Sequence, residues 1–288
     1  MTNDEIKQKG RKYYFTEYNP DWVRQYEELK KIISPIWNKA LSIEHIGSTS
    51  IQGMSAKPVI DVLVTIEKME DFEKEVKQMT DLGFTCLKDY IAPNTLNFYQ
   101  TGNEDDKINN IHVCELGSQR QRRFIIMRDY FRAHSDKAKE YSNLKQRNRD
   151  IHPHDYVSYR EAKNDFLDEA EKQSYLWWFE QVLPQSWSRE TCYEPQQKEW
   201  SSDNPSQGQC FVTTLLVNDY LGGEIKKAKS SSGVSHYWNR IDGEDIDFTR
   251  QQFPENELFS DIHMVQRENI EENSRYNILK QKIQDKLK

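Results

Sequence analysis

The sequence predicts an α/β chain of two domains. Three observations lead there. Between positions 41 and 116, strand-like apolar runs are interleaved with a helix-like spacing. A long helical stretch follows over 119–183. Beyond a segment rich in Pro, Ser and Gln, the C-terminal region holds a compact apolar helix and then a hairpin.

The elements follow in order. Asn19-Pro20 reads as a helix N-cap with proline in the first turn, and Trp22, Tyr26, Leu29 and Ile33 recur at helical spacing behind it. Residues 41–46 and 59–66 read as strands, the second apolar on both faces and therefore central in a sheet. Met69, Phe72, Val76 and Met79 mark a helix stopped by Gly83. Short strands are expected near 84–90, 95–100 and 108–116. Helices then run to about 183, carried by Phe124, Met127, Phe131, Tyr141, Leu144, Tyr159 and Phe166. Residues 184–208 lack any period and read as a linker, giving domains at 1–183 and 209–288. CFVTTLLVNDYL is the apolar helix, ended by Gly222-Gly223, and HYWNRIDGEDIDFT is a hairpin turning at Asp242-Gly243.

Composition narrows the function classes. The chain has 288 residues, 36% hydrophobic, 30% charged and 12% aromatic, enough large side chains for a core in each domain. A net charge of −7 argues against a general nucleic-acid binder. No apolar run approaches the ~20 residues of a membrane span, and MTNDEIKQKG carries no secretory signal. Cys86, Cys114, Cys192 and Cys210 lack metal or disulfide spacing. A cytoplasmic protein is expected.

Two stretches carry chemistry. In the first, EHIGSTSIQGMSAKPVIDVLV, Gly47, Ser48, Thr49 and Ser50 offer backbone N–H groups and hydroxyls suited to phosphate oxygens. Asp61 stands inside an apolar strand, where a carboxylate needs a partner or a metal. Lys57 is a further phosphate contact. Residues 119–149 hold ten Lys or Arg, a local reversal of the overall charge, with Arg128 and Arg132 on one helix face.

This stretch resembles the signature of the GrpB family, a branch of the nucleotidyltransferase superfamily. NIHVCELGS, FIIMRDYFRAH and YREAKNDFL agree, and the likeness runs over about 13–180. The resemblance implies an α/β core on a mixed sheet surrounded by helices. It also implies a nucleotide or other phosphorylated ligand, with Mg²⁺ and a nucleotide triphosphate as the expected cofactors. The superfamily places two alternating acids after the Gly-Ser turn to hold Mg²⁺. By that comparison Asp61 falls on the second acid and Val59 on the first, while His112 lies near a third. Glu44 is the other candidate metal ligand, and His45 a further ligand-binding candidate. The phosphate cradle is expected to persist and two-metal transfer is not, because one carboxylate with imidazole suits Mg²⁺ poorly.

In the second stretch, Cys210 opens the apolar helix, where free N–H groups and the helix dipole favour a thiolate. A two-residue turn at Asp242-Gly243 sets His236 opposite Thr249 and Trp238 opposite Asp247, so His236 and Asp247 become diagonal neighbours on one face. A carboxylate orienting an imidazole that deprotonates a thiol is the pattern of nucleophilic catalysis. Gln209 is the candidate oxyanion donor. The order Cys-helix-His-strand-Asp-strand is that of papain-like and transglutaminase-like enzymes, so a small α+β domain is expected. GQCFVTTLLVNDYLGGEI and SHYWNRIDGEDIDFTRQQF resemble the YunG-like proteins over about 195–265. The expectation is a phosphorylated-ligand domain fused to a thiol-dependent acyl-transfer or hydrolase domain. Two alternatives stay open: a non-catalytic regulatory protein, and a nucleotidyltransferase with a scaffolding C-terminal domain.

Overall fold

The computed structural model describes residues 15–69, 72–88, 95–102 and 107–288. They fall into two compact units, one ending at Ser174 and the other comprising Tyr175–Leu287.

The first unit opens with helix α1 (Asp21–Ile33), and Asn19 Oδ1 accepts from the Asp21 N–H at 3.0 Å. Trp22, Tyr26, Leu29 and Ile33 are all buried, in one core with Trp37, Val62, Val64, Phe98 and Val113. The sheet is built from β1 (Ser42–Ile46), β2 (Ile60–Ile66), β3 (Thr85–Lys88), β4 (Leu96–Thr101) and β5 (Lys107–Glu115). Its order is β1-β2-β5-β4-β3, with β2 parallel to β5 and the other pairs antiparallel, so it is mixed. Along β2, Asp61 alone interrupts the burial. Helix α2 (Glu73–Asp81) leads into β3 through Gly83, whose φ of 85° suits a helix stop. The last two residues of the strand predicted at 84–90 lie outside the described residues. Helices α3 (Gln119–Ala133), α4 (Ser135–Ile151) and α5 (Tyr156–Glu161) follow, then α6 (Asn164–Ser186), whose first part belongs to this unit.

The second unit takes the rest of α6, then α7 (Cys210–Leu221), β6 (Glu224–Lys229), β7 (Ser235–Ile241), β8 (Glu244–Ile246), β9 (Ser260–Val265) and α8 (Ser274–Asp285). Its antiparallel sheet runs β8-β7-β6-β9, with α7 packed on β7 and against α8. Asp242 (φ 50°) and Gly243 (φ 84°) form the hairpin turn, and Asn239↔Ile246, Arg240↔Asp245 and Ile241↔Glu244 pair in the register such a turn dictates.

Residues 184–208 are not a linker. Trp187, Thr191, Cys192, Ser206 and Gln207 are buried, and Trp187 Nε1 donates to Thr213 Oγ1 at 2.9 Å. The segment lacks a period because it is a chain of turns whose backbone groups bond one another, as in Tyr193 N to Gly208 O at 2.8 Å. The boundary therefore falls inside α6, after Ser174, rather than at 183. Among the described residues no helix is long and apolar enough to cross a membrane.

Candidate functional site

In the first unit the chain turns between β1 and β2 through Gly47 and a single 3-10 turn, Ser48–Ser50. Gly47 has a φ of 70°, and a Cβ there would stand 2.6 Å from Asp61 Oδ2. Glycine thus lets the carboxylate approach the turn. Asp61 pairs across the sheet with Asn110, whose Nδ2 donates to Oδ1 at 2.9 Å and lies 2.8 Å from His112 Nε2. His112 Nδ1 lies 2.6 Å from Asn97 Oδ1 and 2.9 Å from Arg120 Nη2. Burial holds the pKa of His112 below the ordinary value. His45 stacks on Tyr26 and reaches Thr49 Oγ1 with Nε2 at 3.0 Å, and that hydroxyl donates to Val59 O at 3.1 Å. Burial, reinforced by Arg132 and Arg128 and opposed by Asp61, brings His45 down to about 4.

Ser48, Thr49 and Asp61 line a cavity of about 290 Å³ together with Lys57, Lys107, Lys145 and Lys163. Lys145 is 3% exposed, donates to Ser48 Oγ at 3.1 Å and to Ser55 O, and lies 4.6 Å from the Tyr141 ring centroid. No described carboxylate pairs with it. Burial, helped by repulsion from Lys163, brings its pKa down to about 7. Burial and then Arg160 bring Lys163 down to about 8. Lys57, Lys107, Lys145 and Lys163 thus share one wall with Asp61. Lys107, Lys145 and Lys163 escape sequence reasoning, because lysines in polar surroundings read as solvated.

Five expectations for this unit are corrected. Arg128 does not reach toward a phosphate: it donates to Glu44 Oε2 at 2.6 Å and to both oxygens of Asp129 at 2.8 and 3.2 Å. Glu44, neutralised by that guanidinium, is not a metal ligand. His45 and His112 are committed to Thr49 and to Asn97 and Asn110, and hold the loop and sheet instead of a ligand. Mg²⁺ does not fit the donor set. Among the described residues Asp61 is the one carboxylate on the cavity wall, Val59 stands nearby, and no three His, Cys, Asp or Glu side chains are placed to hold a metal.

In the second unit, Cys210 begins α7 and lines a cleft of about 490 Å³ with Tyr193, Gln196, Phe211, Tyr237 and Arg275. His236, on β7, is fully buried, and its Nε2 lies 2.6 Å from Asp247 Oδ2. Asp247 follows β8 instead of lying within it. Its other oxygen accepts from the N–H and hydroxyl of Thr249 at 3.0 and 3.1 Å, which fixes the carboxylate. Burial disfavours imidazolium, but hydrogen bonds and charge from Asp247 and Cys210 outweigh it and push His236 up to about 9. Trp238 and Phe259 stack beside the ring at 5.6 and 4.9 Å, and Phe253 meets it edge-on at 4.7 Å. His236 and Asp247 are thus brought together, and Cys210 Sγ donates at 3.9 Å to the backbone oxygen of Ser235, the residue before His236.

Gln209 is placed differently from the expectation. It is fully buried, and its amide donates to Ser188 O at 2.9 Å, so it cannot serve a substrate oxyanion. Burial of the segment before α7 turns its side chain inward. Two other amides stand closer to the chemistry: Gln196 on the cleft wall, and Gln252, whose Nε2 lies 3.4 Å from His236 Nδ1 while its Oε1 accepts from Gly208 N. Both come from turns without a sequence signature.

Comparison with known proteins agrees with the division. Residues 14–173 match the family model described as GrpB protein, and residues 177–288 match the one described as YunG protein. The chain is 32% identical over 168 residues to the UPF0157 protein YqkA of Bacillus subtilis, covering 58% of this chain and 48% of that one. It is 40% identical over 72 residues to the uncharacterized protein YunG of the same organism, covering 25% of this chain and 57% of that one. The chain therefore spans about half the length of each of these two relatives. Among solved structures, the crystal structure of the conserved protein GrpB from Enterococcus faecalis is similar with a TM-score of 0.53 and 28% identity, covering 56% of this chain and 96% of that one. With its first unit matched in both sequence and fold, the chain belongs to the GrpB family and carries a YunG-like domain after it.

Proposed function

We propose that the second unit performs thiol-dependent acyl transfer at Cys210. The observation that carries this reading is the 2.6 Å contact of His236 Nε2 with Asp247 Oδ2, beside a Cys210 thiol that donates at 3.9 Å to the backbone oxygen of Ser235, the residue before His236. Asp247 holds the ring and stabilises the imidazolium, leaving the other nitrogen for the thiol. Cys210 gives its proton to His236, and Sγ attacks a carbonyl carbon. The bond from that carbon to the leaving nitrogen or oxygen breaks, and the leaving group takes the proton from His236. Water or an amine then attacks the thioester, gives its proton to His236, and Cys210 departs and is reprotonated. The backbone N–H of Cys210, without an intrahelical partner in the first turn of α7, and the amide of Gln196 are the oxyanion donors in this scheme. In this reading the order and roles of the three residues are those of a papain-like enzyme. With p-nitrophenyl acetate the chain should release a burst of one p-nitrophenolate and gain one acetyl group on Cys210, both lost in Cys210→Ser. A wild type that shows neither would end the proposal.

For the first unit we infer binding of a nucleotide or another phosphorylated ligand without Mg²⁺-dependent transfer. It is supported by Lys145 on Ser48 and by the three further lysines on the same wall. Calorimetry with a nucleotide triphosphate should give heat with and without Mg²⁺, and none in Lys145→Met. Absence of heat in the wild type under both conditions would contradict it.

A further inference from the structure

The lysine cavity shares part of its wall with a second cavity of about 340 Å³: Ser48 and Tyr141 line both. Its chemistry is different. Ile51, Met54, Phe124, Met127, Phe131 and Leu167 give it an apolar lining. The guanidinium groups among them are engaged elsewhere: Arg128 with Glu44 and Asp129, and Arg123 with Glu171 at 3.1 Å. Arg120 lies over the Phe124 ring, with Nη2 2.9 Å from His112 Nδ1, and its buried Nε has no partner.

Resting on the reading of the lysine cavity as a phosphorylated-ligand site, we propose that the ligand is a phosphate ester with an aliphatic or aryl arm. The phosphate lies among Lys57, Lys107, Lys145 and Lys163, the chain bends at Ser48, and the arm fills the cavity of Met54, Phe124, Met127 and Phe131. A nucleobase suits this second cavity poorly. Its edge carries several donors and acceptors, and a wall of methionine and phenylalanine would leave them unpaired at a large desolvation cost. An apolar arm has no such cost and gains about fourfold in affinity for each methylene buried. The two methionines adapt to arms of different shape. The Nε of Arg120 suits one carbonyl or ester oxygen along the arm.

Calorimetry on the full chain with inorganic phosphate, butyl phosphate, octyl phosphate and adenosine monophosphate tests this. Butyl phosphate should bind at least tenfold tighter than inorganic phosphate, octyl phosphate tighter again, and adenosine monophosphate more weakly than octyl phosphate. Met127→Gln or Leu167→Asn, both at half-buried positions, should remove most of the gain while leaving inorganic phosphate unchanged. Lys145→Met should abolish binding of all four. Equal affinities for inorganic and octyl phosphate would overturn the proposal and leave the lysine reading standing. Adenosine monophosphate binding tighter than octyl phosphate would overturn it in favour of a nucleotide. Failure of all four to bind would overturn both.

Discussion

His236 Nε2 and Asp247 Oδ2 lie 2.6 Å apart inside the second unit, with the imidazole buried and the carboxylate fixed by Thr249. The pair joins a strand to the turn beyond its hairpin partner, so it is a folding contact as well as a chemical one.

The pair should make stability depend on pH. His236 is pushed up to about 9 in the folded chain, above the ordinary 6.5 of an unfolded one. Its contribution is therefore fully present below about pH 6.5 and lost as the pH rises through about 9. Asp247→Asn should cost about 2 kcal/mol at pH 6. The two proteins should converge above about pH 9.5, as read from urea midpoints. A cost independent of pH would show that the carboxylate does not hold imidazolium.

Lys145 should show the opposite slope. Its folded pKa is about 7, below the ordinary 10.5 of a lysine, so burying it disfavours the folded state fully below about pH 7 and not at all above about 10.5. Lys145→Met should therefore be more stable than wild type at pH 6, and this advantage should shrink toward pH 10. Adding a bound phosphate should reverse the order, because only the wild type gains from the ligand. Thermal unfolding at three pH values with and without phosphate would read this.

Gly47→Ala should cost about 1–3 kcal/mol, because its φ of 70° disfavours any side chain and the new methyl would press on Asp61 Oδ2. The turn before Ser48 would shift, so phosphate affinity should fall along with the urea midpoint. Unchanged stability and affinity would mean that the turn does not position the site.

Much of the fold was legible where one period ruled a segment. Trp22, Tyr26, Leu29 and Ile33 mark α1 because one helix face is buried, and Asp242-Gly243 marks the hairpin because its backbone needs positive φ. Strand β6, EIKKAK, was not legible. Its register shifts between Lys227 and Lys229, so buried Ile225 and Ala228 fall out of alternation. The segment 184–208 concealed its burial behind turns. The site was legible in part for a related reason: Cys210, His236 and Asp247 sit at an element start and around a short hairpin, where local rules place side chains. Lys145 meets Ser48 from 97 residues away, and Arg128 meets Glu44 from 84. No local pattern encodes either partner.

Peptide-resolved alkylation of Cys210 by iodoacetamide as a function of pH tests the central claim most directly. With His236 holding the proton, the wild-type rate should fall less than about threefold between pH 8.5 and pH 6, where an ordinary cysteine falls by about a hundredfold or more. His236→Ala should restore that steep fall. A wild-type profile as steep as the variant's would contradict the account.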